Sequence, residues 1–294
     1  MTSASPVDQL LRLRQHQRAG HRSPHKPLLA LLALGRLATA GSSALTWSEV
    51  EEQLADLLAE FGPGSTARRT QSAAYPFTRL RSDGVWELDR DVPMDLVGPL
   101  RGGVTGRFDS ALETELASDP AVLRACAQAL ALSQFPADVA ADVLLAVGLD
   151  VTVAGVAEVD PEGRRRDPVW RRQVLQAWDG SCAFRGFDGQ VAGSAVGIEA
   201  AHVRWFAFGG PDTLDNGLAL CMLHHKLFDR GVLGLDDRST IRVSAVYSAR
   251  TDAGRAVYDL HGRVLAPRPG TAVPAPEHVA WHRAEVFRGT ALVA

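Results

Sequence analysis

Cysteine is scarce in this chain, with three residues in 294, and an odd number spread so thinly builds no disulfide framework. It argues instead for a reducing compartment. No apolar stretch is long enough to cross a bilayer, because the run Leu28 to Leu34 is soon interrupted by Arg36 and reads as a buried helix. The first 27 residues are polar and basic without an apolar centre, so no secretory signal is expected. The chain reads as cytoplasmic, with no membrane partner. It has no phosphate-cradling glycine loop and no nucleophile constellation, which sets small-molecule enzymes aside. Lysine is rarer than cysteine: Lys26 and Lys226 stand against 29 arginines. No internal repeat is visible.

A net charge of −3 supplies no global attraction to nucleic acid, so the distribution of charge decides. Arg12, Arg14, Arg18, Arg22 and Lys26, with His16, His21 and His25, make the first 26 residues basic, and Arg164 to Arg166 with Arg171 and Arg172 form a second cluster. Taken alone, such runs are more often solvated faces than phosphate contacts.

One constellation carries chemistry. His202 ends a β-like run, Asn216 follows 14 residues on, His225 nine further and Asp229 four after that. This spacing resembles an HNH nuclease site. Phosphodiester hydrolysis needs a base to activate water and a cation to stabilise charge on the phosphate and the leaving oxygen. His202 suits the base, and Asn216 is assigned to lock its orientation. His225 and Asp229, four apart in a helical segment, lie on one face and are expected to grip one divalent ion such as Mn²⁺ or Mg²⁺. Many relatives of the fold place a metal ligand where this chain has Ala201. Glu199, two residues earlier on the same strand face, is the candidate to compensate.

HNH domains of this kind often hold a structural zinc between two Cys/His pairs. Here Cys221 and His224 form one pair, but the other reads Cys182-Ala183-Phe184-Arg185, and arginine cannot ligate zinc. Cys182, Cys221 and His224 are therefore an incomplete set. The expectation is no zinc, or a poorly held one, with a local core built by packing.

The segmentation predicts an α+β chain of two domains. Helices are expected over Val7 to Gln17, Pro27 to Ala40 and Glu49 to Phe61, the last with a Ser48/Glu51 capping box and closed by Gly62. A β-hairpin is expected next, Thr78 to Arg81 and Val85 to Leu88 around Ser82-Asp83-Gly84. Helices follow after Asp109, after Asp119-Pro120 and from Ala137 to Val147. Helices followed by a hairpin resemble a winged-helix arrangement. Residues 1–150 thus form a mainly helical DNA-binding domain and 151–167 a linker. Residues 168–294 form a ββα-metal nuclease domain, with a helix over Pro168 to Trp178, a proline-rich strap and a final helix from Glu277 to Phe287.

Pro24 to Leu29, Tyr75 to Leu80, Leu100 to Gly103 and the Asp119-Pro120 helix start resemble the sulfur-binding domain of McrA-type restriction enzymes, in which that domain precedes an HNH nuclease. The resemblance covers roughly residues 5–235. It implies a modification-dependent restriction endonuclease acting on phosphorothioate double-stranded DNA. It places the Tyr75 and Pro76 rings at a shallow apolar dent for sulfur, with His25, Lys26, Pro27, Arg101 and Gly102 around it. Arg79 and Arg101 are candidates to read sequence context. Cutting both strands with one metal site per chain implies a homodimer. Two other readings stay open: a catalytically decayed reader of the same mark, and an HNH endonuclease that recognises another modification. Tyr75 is the single tyrosine of the front domain, which disfavours a methyl reader that flips a base into a deep aromatic pocket.

Overall fold

The computed structural model describes residues 4–15, 23–63, 69–150 and 167–293. The linker expected at 151–167 lies outside them except for Asp167, as do His16, Arg18, His21, Arg22 and Arg164 to Arg166 of the two basic clusters. The chain divides into two units, Met1–Val156 and Ala157–Ala294.

The first unit opens with α1, Pro6–Leu11, capped by the Ser5 hydroxyl, which accepts from the Asp8 amide. This helix stops well short of the expected Gln17. In α2, His25–Ala40, Leu28, Leu29, Ala30, Leu31, Ala33 and Leu34 are all fully buried, so the apolar run is the central helix rather than a one-sided one. Strand β1, Leu45–Thr46, leads directly into α3, Trp47–Phe61. Thr46 is its N-cap and makes no side-chain capping bond, so the expected Ser48/Glu51 box does not form.

The largest departure follows. Arg69–Arg79 is a helix, α4, continued by a 3-10 turn over Leu80–Asp83 that Gly84 ends at φ 75°. The expected first hairpin strand therefore does not exist. The sequence Tyr-Pro-Phe-Thr favours a strand locally, but Ala73, Phe77 and Leu80 recur at helical spacing and are fully buried. Thr78 bonds back to the Ala74 carbonyl at 2.9 Å, which satisfies its hydroxyl inside the helix.

Only β2, Trp86–Leu88, remains of the expected hairpin. After the short α5, Val97–Leu100, its partner is β3, Thr105–Phe108. β3 lies centrally in an antiparallel sheet of order β1-β3-β2. Edge-to-face rings tie these parts together: Trp47 to Phe77 at 5.1 Å, Phe77 to Trp86 at 6.0 Å and Trp86 to Phe108 at 5.9 Å. A Cβ at Gly106 would stand 2.5 Å from the Trp86 ring, so only glycine fits there. Helices α6, Ser110–Ser118, and α7, Pro120–Leu132, start at Asp109 and Asp119 as expected, each carboxylate capping amides of its helix. α8, Ala137–Ala146, closes the unit.

In the second unit Asp167 caps α9, Pro168–Ala177. Two short strands, β4 (Gln190–Val191) and β5 (Ser194–Ala195), form an exposed hairpin. β6, Ile198–His202, and β7, Gly217–Cys221, pair antiparallel from Ile198↔Cys221 to His202↔Gly217. α10, Met222–Asp229, begins where β7 ends. α9 and α10 both pack on the β6-β7 ribbon. Trp170, Val174, Leu218, Leu220 and Phe228 belong to the core they share.

β8 (Leu233–Leu235) and β9 (Ile241–Val243) form a second ribbon, followed by the single turn α11, Asp252–Arg255. The proline-rich strap is irregular. It is tied to the end of α9 by Thr271 Oγ1 donating to the Ala177 carbonyl at 2.9 Å, and leads to α12, Pro276–Glu285. Among the described residues no helix is long and apolar enough to cross a membrane.

Candidate functional site

The ββα element gathers two groups of side chains. His202, at the end of β6 and 3 % exposed, lies flat on the Trp170 ring of α9, with ring centroids 3.9 Å apart. Its Nε2 is 2.7 Å from Asp212 Oδ1. Asp212 Oδ2 in turn accepts the backbone N–H of Asp167 at 2.7 Å. A carboxylate on one imidazole nitrogen fixes the ring and stabilises the imidazolium that forms when the ring takes a proton. Asp212 is the residue that sequence reasoning missed. Gly-Gly-Pro-Asp reads only as a turn, and nothing in the spacing reveals that the turn folds back onto the strand end.

Asn216 does not do what spacing alone suggested. No bond joins its side chain to His202 among the described contacts. It is fully buried and clamps the 203–216 loop instead. Its Oδ1 accepts from the Arg204 amide at 2.8 Å, and its Nδ2 donates to the carbonyls of Arg204 at 3.1 Å and Pro211 at 3.0 Å. Gly210 makes this closure possible, because a Cβ there would stand 1.8 Å from the Arg204 carbonyl oxygen. Asn216 thus bears on His202 indirectly, by holding the loop that presents Asp212.

The second group runs from β6 into α10. His225 Nδ1 is 2.7 Å from Glu199 Oε2, and His225 Nε2 is 3.2 Å from Asp229 Oδ2. Trp205 Nε1 donates to Asp229 Oδ1 at 2.9 Å. Hydrogen bonding to His225 holds the Glu199 carboxyl below its ordinary value. Burial pushes the Asp229 carboxyl up, but His225, Trp205 and His282 outweigh it and keep the group ionised. Asp229 Oδ2 is buried and faces His225 Nε2, so a carboxylate oxygen and an imidazole nitrogen lie side by side as donors that could take a divalent cation.

Cys182, Cys221 and His224 also meet. Both thiol sulfurs lie near His224 Nδ1, at 3.1 and 3.3 Å. Among the described residues they are the one group of three Cys, His, Asp or Glu donors mutually within 4.8 Å. Burial pushes the Cys182 thiol up, yet its contact with His224 and nearby amides brings it down to about 7, while burial and Cys182 push Cys221 up. Arg185 stands where a fourth donor is wanted and instead faces Asp259 at 3.4 Å. The set offers three of the four donors that a tetrahedral metal site takes.

The first unit contains a cavity of about 590 Å³ at the amino-terminal end of α2 and along α4. Of the residues expected there, His25, Lys26, Tyr75, Pro76 and Arg79 line it. Pro27 is instead buried in the first turn of α2. Arg101 and Gly102 are not in the lining, and Arg101 stands 3.9 Å from Glu51. Arg14 and Met94 line it too and were not anticipated. The Lys26 ammonium pairs with Asp83, whose other oxygen accepts from Arg14 Nε at 3.1 Å. Pro76 lies inside α4, a position that costs about 3 kcal/mol relative to an ordinary helix former. Such a local violation singles out Pro76, which lines the cavity, as a candidate functional position.

Two family models match this chain. Residues 4–152 match the ScoMcrA-like DNA sulfur-binding domain, and residues 182–236 match the HNH endonuclease domain. No curated protein sequence matches. Among solved structures, the sulfur-binding domain of ScoMcrA complexed with phosphorothioated DNA is 20% identical, with 50% of this chain and 99% of that one covered and a TM-score of 0.43. The type IV phosphorothioation-dependent restriction endonuclease ScoMcrA is 13% identical, over 77% of this chain and 84% of that one, with a TM-score of 0.40. The modification-dependent TagI restriction endonuclease is 22% identical, over 47% and 41%, with a TM-score of 0.33.

Proposed function

We propose, from the premise that this chain belongs to the ScoMcrA-like DNA sulfur-binding domain family and carries an HNH endonuclease domain, that it is a type IV restriction endonuclease specific for phosphorothioate double-stranded DNA. Residues 1–150 bind the mark, 151–167 join the two parts, and 168–294 cut. The order α2, β1, α3, α4, β2, β3 with a β1-β3-β2 sheet supports a winged-helix-like reading of the first part.

The observation that carries the proposal is the cavity beside α4, with aromatic and pyrrolidine walls and cations around it. Sulfur is larger, more polarisable and less well hydrated than the oxygen it replaces, so the Tyr75 and Pro76 rings and the Met94 thioether favour it. Burying some tens of Å² of sulfur surface contributes only about 1 kcal/mol, enough to discriminate but not to bind. Affinity comes from cationic contacts with the backbone, to which Arg14, His25 and Lys26 are suited, and Arg101 from farther off.

In the cutting part, His202 removes the proton of the attacking water while Asp212 holds the imidazole and stabilises its charged form. Asn216 keeps the loop that presents Asp212. His225 and Asp229 would hold a divalent ion such as Mn²⁺ or Mg²⁺, which when bound stabilises charge on the phosphate and the leaving oxygen, while Glu199, on the other ring nitrogen of His225, would orient that imidazole rather than join the ion as first expected. Trp205 fixes the Asp229 carboxylate for that task. One site cuts one strand, so the working form is a homodimer.

The test uses one duplex with and without a single stereodefined phosphorothioate, with Mn²⁺ or Mg²⁺, read for both retardation and cleavage. Cleavage confined to the sulfur-bearing duplex, lost in His202→Ala while binding persists, is the expected outcome. Sulfur-selective binding without cleavage would identify a decayed reader. Equal behaviour on both duplexes would overturn the sulfur reading and leave a nuclease of another specificity.

A further inference from the structure

Arg79 differs from the other cations at the cavity in how it is held. Asp95 grips it fork to fork, with Nε donating to Oδ1 at 2.7 Å and Nη2 to Oδ2. The guanidinium carbon also stands 5.4 Å from the centre of the Tyr75 ring. The Arg79 side chain is nevertheless 47 % exposed and lines the cavity.

Asp95 is itself immobilised. Its amide donates to Thr78 Oγ1 at 3.0 Å, its carbonyl accepts from Gln71 Nε2 at 2.6 Å, and its backbone is in the left-handed region at φ 66°. Non-glycine residues adopt that conformation at a cost, and they persist in it where surrounding contacts impose it and a site profits. Two α4 side chains impose it here, and the product is a carboxylate aimed at a third, Arg79. By contrast, the Arg101 guanidinium stands 3.9 Å from Glu51 and its side chain is 67 % exposed.

A phosphate is met well enough by a mobile point charge. A rigid planar fork suits a planar target with two acceptors in a fixed arrangement, and in a DNA groove that target is the O6/N7 edge of guanine. With the Nε edge occupied by Asp95, the Nη1/Nη2 edge stays available. We infer that Asp95 is a positioning residue that pre-sets Arg79 to read a guanine beside the marked linkage, so that this pair sets the sequence context in which sulfur is recognised. The inference rests on the phosphorothioate-DNA reading above and adds to it a base preference and the residues that create it.

The experiment titrates the full-length protein with stereodefined phosphorothioate duplexes in which each base pair flanking the linkage is varied in turn. A matched set carries 7-deazaguanine, which lacks N7. The wild type is expected to prefer guanine at one position by at least about fivefold, the lower end of what a bidentate arginine–guanine pair discriminates, and to lose that preference with 7-deazaguanine. Arg79→Lys keeps the charge and the salt dependence but abolishes the preference. Asp95→Asn keeps the shape, tolerates the left-handed backbone and reduces the preference, with unchanged thermal stability as the control for folding.

If Arg79→Ala instead weakens binding equally on every sequence and lowers the salt slope by about one, Arg79 is a phosphate contact and the inference is overturned. An Asp95→Asn variant with wild-type base preference overturns the positioning role. Failure of the underlying reading looks different: the wild type would then bind marked and unmarked duplexes alike, whatever the flanking base.

Discussion

Replacing Asn216 by alanine separates two roles that spacing alone confuses, holding the loop and touching His202. The side chain is fully buried and makes three hydrogen bonds, all to backbone groups of Arg204 and Pro211. Alanine strands one buried N–H and two carbonyls. Each lost bond costs about 1 kcal/mol net, and a stranded buried donor up to about 3, so the sum is roughly 2–5 kcal/mol. At roughly 4 °C per kcal/mol for a unit of this size, the melting temperature of the nuclease unit falls by roughly 8–20 °C. Thermal unfolding reads the stability, and cleavage of a marked duplex below the transition reads the function. The loosened loop withdraws Asp212 from His202, so cleavage falls as it does in Asp212→Asn, while binding through the first unit is unchanged. A variant that melts within about 2 °C of the wild type yet fails to cut would refute the clamp and restore a direct role for the amide.

Four further outcomes are expected. Asp212→Asn slows cleavage by about 10- to 100-fold, less than the roughly 10²- to 10⁴-fold loss from His202→Ala, and gel assays under single-turnover conditions rank the two. Phe77→Ala, which empties the space between the Trp47 and Trp86 rings, destabilises the first unit by about 3–5 kcal/mol in urea unfolding. Asp236 caps the β8-β9 turn; burial pushes its carboxyl up, but the amides of Thr240 and Arg238 and the Arg242 guanidinium hold it below its ordinary value. Its stabilisation is present above the ordinary aspartate range and is lost as pH falls through the depressed value. The melting gap between wild type and Asp236→Asn is therefore wide at pH 7 and closes in acid. Arg185→Cys completes the Cys182, Cys221, His224 set and tightens Zn²⁺ binding by more than the roughly 10- to 100-fold that a supporting partner is worth, as read by Co²⁺ charge-transfer absorption.

The sequence made β6, β7 and α10 legible because their candidate site residues recur at fixed spacing along regular elements: a strand end, a turn and one helix face. The same holds for the α6 and α7 starts, where an aspartate at the cap acts through local geometry. What failed was decided at a distance. Tyr75 to Thr78 favour a strand by local preference, and the helix prevails because α2, α3 and the Trp86 ring bury its apolar face. Asp212 and Asp95 were invisible for a related reason: each sits in a loop whose return path no periodicity encodes. Arg101 was placed at the cavity by resemblance, and the chain's own fold puts it beside Glu51.

The bond from the Asp167 amide to Asp212 bears on where the nuclease unit can be severed. A fragment cut to begin at Pro168 would keep every residue of α9, β6, β7 and α10. It would still lack the N–H that holds the outer oxygen of Asp212, and the side chain that caps α9 through the Val169 amide. A fragment beginning at Asp167 itself would offer a terminal ammonium in place of the amide, turning a neutral donor into a cation that competes with His202 for the same carboxylate. The smallest piece that preserves the site must therefore carry at least one residue of the preceding segment, set by the carboxylate behind His202 rather than by the helix boundary.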